Sequence, residues 1–92
     1  MLTLEDCIAF SELSEDEVRA IAAHEHLPEI VAAELAVHWA STSQGCCRIV
    51  AILRDGIAAA RARGDRVEAA RLVEVLRRFV ALHPTAAALP AG

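Results

Sequence analysis

The 92-residue chain contains no lysine, and arginine supplies all nine of its permanently charged basic side chains against thirteen acidic ones. The resulting net charge of −4 argues against binding to the phosphate backbone of nucleic acids, which requires clustered basic side chains. The local basic segment over residues 61–66 has no aromatic side chains that could stack on bases. We therefore predict that nucleic acid is not a partner.

Long apolar runs and secretion signals are also missing. No apolar stretch approaches the roughly 18 residues that a transmembrane helix needs. The first residues have no basic start followed by an apolar core. The three cysteines are an odd number without a C-x-x-C pair, which is typical of a reducing compartment rather than of a disulfide scaffold. These absences predict a cytoplasmic protein that does not bind membranes.

The signatures of common enzyme mechanisms are missing as well. The chain has no Ser/His/Asp order, no glycine-rich phosphate loop and no acid–base pair that a cleft would bring together. We therefore predict no enzymatic activity. Cys47 is expected near the amino end of a helix, where a thiolate is favoured, although a lowered thiol pKa also needs a supporting base. A thiol function at Cys47 is kept as an alternative.

What the sequence does contain is apolar residues with helical periodicity. Hydrophobic residues make up 55% of the chain, much of it alanine, and no segment alternates with the period of a strand. We predict an all-α fold: one domain over residues 1–84, built as a small bundle of about five helices, and a flexible Ala/Pro-rich tail over 85–92. The apolar surplus of so small a domain favours burial at a subunit interface, most simply in a homodimer.

Capping residues, prolines and glycines set the predicted helix bounds. The pattern Ser14 with Glu17 starts a helix as a capping box, Pro28 separates that helix from the next, and Gly64 with Asp65 forms a tight turn. The last two helices are expected to form an antiparallel hairpin around this turn. A loop is predicted over 41–45, and the predicted helices cover residues 4–10, 14–25, 28–40, 46–63 and 66–82.

The periodicity also predicts which helix faces are buried. The fourth predicted helix has one apolar face, made of Cys46, Ile49, Val50, Leu53, Ile57 and Ala60. Ala51, Ala58 and Ala62 form a second stripe of small residues that would allow another helix to approach closely. The third predicted helix, which contains Trp39, is apolar almost all round, and such a helix is expected at the centre of a bundle or an oligomer.

One short region collects imidazoles and carboxylates around a helix junction. His24, Glu25 and His26 precede Pro28, and Glu34 and His38 follow one turn apart on the next helix. Glu25 falls on the apolar face of its helix, where a carboxylate needs a partner. A metal site formed by Glu25, Glu34 and His38, with His24 or His26 as a further ligand, would suit a divalent transition metal such as zinc or iron.

The same residues have a purely structural interpretation, which we prefer. Glu25 can accept hydrogen bonds from the free amides that begin the next helix, and Glu34 with His38 can form a surface ion pair. The spacing Glu-x-x-x-His occurs once and differs from the repeated Glu-x-x-His of di-iron bundles. We therefore expect no cofactor and keep metal binding as the alternative.

Two stretches carry a resemblance to other chains. Residues 20–35, which include His24-Glu25-His26-Leu27-Pro28, and residues 59–65 resemble a group of small uncharacterised proteobacterial all-helical proteins. The resemblance implies a bacterial cytoplasmic protein and transfers no activity or catalytic residue. Together with the apolar surplus, it leaves a non-enzymatic, self-associating interaction domain as the expected function, with any other protein partner unidentified.

Overall fold

The computed structural model describes residues 15–83. These residues form α1 (Glu15–Glu25), α2 (Glu29–Ala40), α3 (Ser43–Ala62) and α4 (Arg66–Leu82), with no strand among them, which confirms the all-α class. The described range thus holds four helices rather than the five expected of the whole chain. The helix predicted over residues 4–10 and the tail over 85–92 lie outside it. No helix between residues 15 and 83 has both the length and the apolar character to cross a membrane.

The joint between α2 and α3 is shorter than the sequence predicts. Only Ser41 and Thr42 separate the two helices, because the side chain of Thr42 caps α3 by accepting a hydrogen bond of 2.9 Å from the backbone N–H of Gly45. The predicted loop over 41–45 is therefore wrong at residues 43–45, which form the first turn of α3. A run of Ser, Thr and Gly is typical of a loop, but the cap formed by Thr42 makes residues 43–45 helical.

The turn between α3 and α4 follows the prediction. Gly64 has a φ of 76°, a left-handed conformation that costs glycine little. The carboxylate of Asp65 then accepts a hydrogen bond of 3.1 Å from the backbone N–H of Glu68 and caps α4. Residues 63–65 thereby bring α3 and α4 against each other.

The core lies mainly between α3 and α4. All six residues predicted for the apolar face of α3 are buried, and Ile52 joins them. Helix α4 contributes Phe79 and Val75, both fully buried, together with Leu72 and Ala69. Leu82, the last residue of α4, is exposed. From α1, Val18 and Ile21 close the core.

Ion pairs attach α1 to α4 across this core. The guanidinium of Arg71 on α4 donates a hydrogen bond of 2.8 Å to the carboxylate of Asp16 and also pairs with Glu68. Arg78 donates to the other oxygen of Asp16 at 3.2 Å. These contacts raise the pKa of the Arg71 guanidinium through its bonds to Glu68 and Asp16 and lower that of the Glu68 carboxyl. The carboxylate of Asp16 is thus held by two arginines at the amino end of α1.

Helix α2 is not the central helix that its composition predicts. It packs against α1 and α3 through Ala32, Ala33 and Ala36, which are at most 1% exposed. Small side chains allow the closest approach between helices, so the alanine side faces the core. Trp39 packs at the edge of this contact, whereas Ile30, Val31 and Val37 lie on the exposed side. The expectation of a central position within the bundle is therefore wrong, and burial of this helix in an oligomer stays a prediction.

Candidate functional site

The junction of α1 and α2 is a left-handed helix end. His26 has a φ of 55°, and the N–H of Leu27 donates a hydrogen bond of 3.0 Å to the carbonyl of Ala22. This bond is the one that closes a Schellman motif, with His26 in the left-handed position where glycine is usual. Pro28 then precedes α2 and its carbonyl accepts from the N–H of Ala32. His26, one of the candidate metal ligands, is therefore an exposed residue of the turn.

His24 lies between two carboxylates from different helices. Its Nδ1 is 3.0 Å from an oxygen of Glu25 and its Nε2 is 3.1 Å from an oxygen of Asp55 on α3. When the imidazole is protonated, both N–H groups donate to these carboxylates, and these bonds raise the pKa of His24 above its ordinary value of 6.5. The His24 side chain thus bonds the carboxyl end of α1 to the middle of α3.

Arg48 completes this arrangement from the first turns of α3. Its guanidinium donates a hydrogen bond of 3.2 Å to the second oxygen of Glu25 and lies 4.9 Å from the centre of the Trp39 ring on α2. The bonds from His24 and Arg48 lower the pKa of the Glu25 carboxyl. Glu25 does need partners, as its sequence position indicates, but it finds them in His24 and Arg48 rather than among the candidates on α2.

The hydrogen bonds from His24 to the carboxylates of Glu25 and Asp55 should weaken as pH rises. Because the pKa of His24 is raised in the folded chain, its contribution to stability is complete below 6.5 and is lost as pH rises through the raised value. We expect the difference in free energy of unfolding between wild type and His24→Gln to shrink over that range, measured by urea denaturation at a series of pH values. His38→Gln is the matched control, since its imidazole forms no ion pair within residues 15–83. A difference that stays constant with pH contradicts the assignment.

Glu34 and His38 lie apart from this cluster, on the exposed side of α2. They share that side with Ile30, Val31 and Val37, whose exposed fractions are 37, 39 and 38%. We call these five residues the α2 face. Its position follows from the packing of α2, because the alanines on the opposite side occupy the contact with α1 and α3. Three large apolar side chains are thus left on one surface of one helix.

The five candidate metal ligands therefore occupy three places. His24 and Glu25 contact each other, His26 lies in the turn, and Glu34 and His38 belong to the α2 face. Among the described residues, no group of three His, Cys, Asp or Glu side chains is placed to hold a metal ion. The metal site formed by Glu25, Glu34 and His38, with His24 or His26, remains a prediction.

Among the residues outside these clusters, Cys46 and His83 have local structural roles. Cys46 is buried on the core face of α3, as predicted, and burial raises the pKa of its thiol. Cys47 is exposed on the same helix. His83 donates a hydrogen bond of 3.0 Å from Nδ1 to the carbonyl of Phe79 and stacks on the Phe79 ring. His83 thereby caps the end of α4.

A second surface feature lies on α4 and the end of α3. It is a groove of about 700 Å³ whose apolar lining includes Ala70 and Val73. Three arginines line it, and Glu74 pairs weakly with Arg77 at 3.6 Å. No carboxylate within residues 15–83 pairs with Arg61 or Arg66. We call it the arginine groove, defined by Arg61, Arg66, Ala70, Val73, Glu74 and Arg77.

A groove of about 580 Å³ between α1, α3 and α4 differs from the arginine groove in its charges. Its arginines are already paired with carboxylates: Arg19 with Glu15 at 3.4 Å, Arg63 with Asp65 at 3.6 Å, and Arg71 with Glu68. Asp55 and Glu29 also line it. Arginines and carboxylates are therefore present in equal number along this groove, unlike in the arginine groove.

The two grooves reflect a segregation of charge along the chain. Residues 15–40, which form α1 and α2, contain six acidic residues and one arginine. Residues 43–82, which form α3 and α4, contain eight arginines and four acidic residues. Net charge alone conceals this division, and counting charges separately over the two halves would have revealed it in the sequence.

Comparison with known proteins adds no assignment to these surfaces. No protein-family model, curated protein or solved structure matches the chain. The resemblance of residues 20–35 and 59–65 to small proteobacterial helical proteins therefore remains a prediction.

Proposed function

We propose that this chain is a non-enzymatic interaction domain that self-associates through the α2 face. The observation that supports the proposal is the orientation of α2, with alanines towards the core and Ile30, Val31 and Val37 towards solvent. Transfer of exposed apolar surface from water into a contact is worth about 25 cal/mol per Å². A contiguous set of such side chains on one helix face is typical of a contact surface, whereas exposed apolar residues scattered singly are ordinary.

The function requires no catalytic residue or cofactor. A protein whose role is association must fold alone and present one surface whose burial in a contact lowers the free energy. A small bundle can supply such a surface from a single helix. The cytoplasmic setting indicated by the odd number of cysteines and the absence of a C-x-x-C pair belongs to the same proposal, as does a two-fold dimer as the simplest product.

The proposal predicts that removing apolar side chains from the α2 face produces monomers. In the double variant Ile30→Ser, Val37→Ser, the helix propensity changes little because serine, valine and isoleucine are close on that scale. We expect wild type to associate at micromolar concentration in sedimentation velocity, and the double variant to be a monomer with unchanged helicity by circular dichroism.

The matched control is Leu82→Ser, which removes an exposed apolar side chain from α4. It should associate like wild type. A wild-type chain that stays monomeric up to millimolar concentration would refute self-association. If Leu82→Ser and the double variant lost association equally, the contact would depend on general surface hydrophobicity rather than on the α2 face.

A further inference from the structure

The α2 face and the arginine groove carry opposite charges. Glu34 is the acidic member of the α2 face, and no basic side chain within residues 15–83 pairs with it. The arginine groove has the converse composition: Arg61 and Arg66 have no carboxylate partner in the same range, and one carboxylate, Glu74, accompanies three arginines. The carboxylate of Glu34 therefore makes the α2 face acidic, whereas three arginines against one glutamate give the arginine groove a net positive charge.

The two surfaces also match in their apolar parts. On the α2 face, Glu34 lies between Ile30, one turn before it, and Val37, almost one turn after it. In the arginine groove, the apolar residues Ala70 and Val73 line the surface together with the arginines, and Val67, next to Arg66 in the sequence, is 81% exposed. The carboxylate of Glu34 can therefore pair with guanidinium groups while the apolar side chains that flank it pack against the apolar residues of the groove.

We propose that the α2 face binds the arginine groove of a second copy of this chain. The proposal rests on the self-association proposed above and specifies its contact: Glu34 of one copy faces Arg61 and Arg66 of the next. Charge complementarity favours this pairing over contact between two α2 faces, in which two Glu34 carboxylates would approach each other. In a two-fold dimer the contact occurs twice, because each copy supplies one α2 face and one arginine groove.

Charge reversal separates this contact from other modes of association. Glu34→Arg and Arg66→Glu should each raise the dissociation constant by about tenfold or more, since each places like charges opposite one another. The double variant Glu34→Arg, Arg66→Glu restores opposite charges across the contact and should regain most of the affinity. Both positions are exposed, and a glutamate at the first residue of α4 is favoured by the helix dipole, so the variants are expected to fold.

Arg54→Glu is the matched control. Arg54 is exposed on α3, forms no ion pair within residues 15–83 and does not line the arginine groove, so the same change of charge should leave the dissociation constant within about twofold of wild type. Raising the salt concentration should weaken the wild-type assembly, because rim charges are screened. Sedimentation equilibrium on the four variants and wild type measures all of these values.

The outcomes distinguish the contact from the proposed function. If wild type associates, Glu34→Arg and Arg66→Glu both weaken association and the double variant restores it, the contact is supported. If wild type associates but Arg66→Glu behaves like Arg54→Glu, the arginine groove is not the binding surface, and self-association through α2 alone remains. If wild type does not associate, the contact and the proposed function both fail.

Discussion

Replacing Gly45 with alanine is expected to destabilise the fold by more than about 3 kcal/mol, beyond the usual cost of overpacking. A Cβ added at Gly45 would lie 1.9 Å from the carbonyl oxygen of Trp39 and 2.4 Å from its Cα. These are backbone atoms at the end of α2, so they cannot rotate away as a side chain can. The chain would have to open the joint between α2 and α3 and lose the Thr42 cap with it.

Gly56→Ala provides a matched control for this prediction. Both glycines lie within α3, and alanine at either position gains up to about 1 kcal/mol in helix propensity. At Gly56, however, the nearest atom to the added Cβ is the flexible end of Leu72, at 3.1 Å. We expect Gly56→Ala to stay within about 1 kcal/mol of wild type in urea denaturation. Equal stabilities of the two variants would show that α3 begins beyond Gly45, as the sequence predicts.

Replacing Phe79 with alanine is expected to cost about 3–5 kcal/mol, the range for removing a large aromatic side chain from a core. Phe79 is fully buried, stands with Val75 on the inner side of α4, and stacks on the ring of His83 at 4.2 Å between centroids. The deletion leaves a cavity and removes the stacking partner of the residue that caps α4. Such a loss is a large share of the roughly 5–15 kcal/mol that stabilises a typical domain.

Thermal unfolding followed by circular dichroism at matched protein concentration measures this effect. A loss of this size should lower the Tm by more than about 10 °C in a domain this small. Leu82→Ala, three residues further along α4 and largely exposed, should change stability by about 0.5 kcal/mol or less. If Phe79→Ala proved as mild as Leu82→Ala, α4 would not pack on α3 through this side.

The sequence predicted those parts of the fold that local signals determine. The apolar face of α3 follows from a clear helical period with arginines on the other side, and the turn at Gly64 and Asp65 follows from residues whose backbone preferences are strong. Helix α2 has apolar residues on almost all sides, so its sequence pattern does not show which side faces the core. Its orientation depends on the volume of its side chains, since only the alanine side lets it approach α1 and α3 closely.

The contacts of the candidate site were harder to predict from the sequence, because they join residues on different helices. The bond between His24 and Asp55 joins residues 31 positions apart on helices that meet only in the folded chain. The bond between Glu25 and Arg48 spans 23 positions. Sequence proximity therefore suggested partners for Glu25 on α2, whereas its partners are the neighbouring His24 and, through the packing of α1 against α3, Arg48. The arginine groove likewise depends on the turn that brings Arg61 and Arg66 together.

The alanine contact of α2 also has a consequence for local opening of the fold. Ala32, Ala33 and Ala36 bury little apolar area per residue, so undocking α2 sacrifices less free energy than undocking α3 or α4, whose core residues are mainly leucine, isoleucine, valine and phenylalanine. We therefore expect α2 to open locally at a lower free energy than α3 or α4. A partner bound on the outer face of α2 would stabilise the docked helix, so that association would also raise the free energy of its local opening.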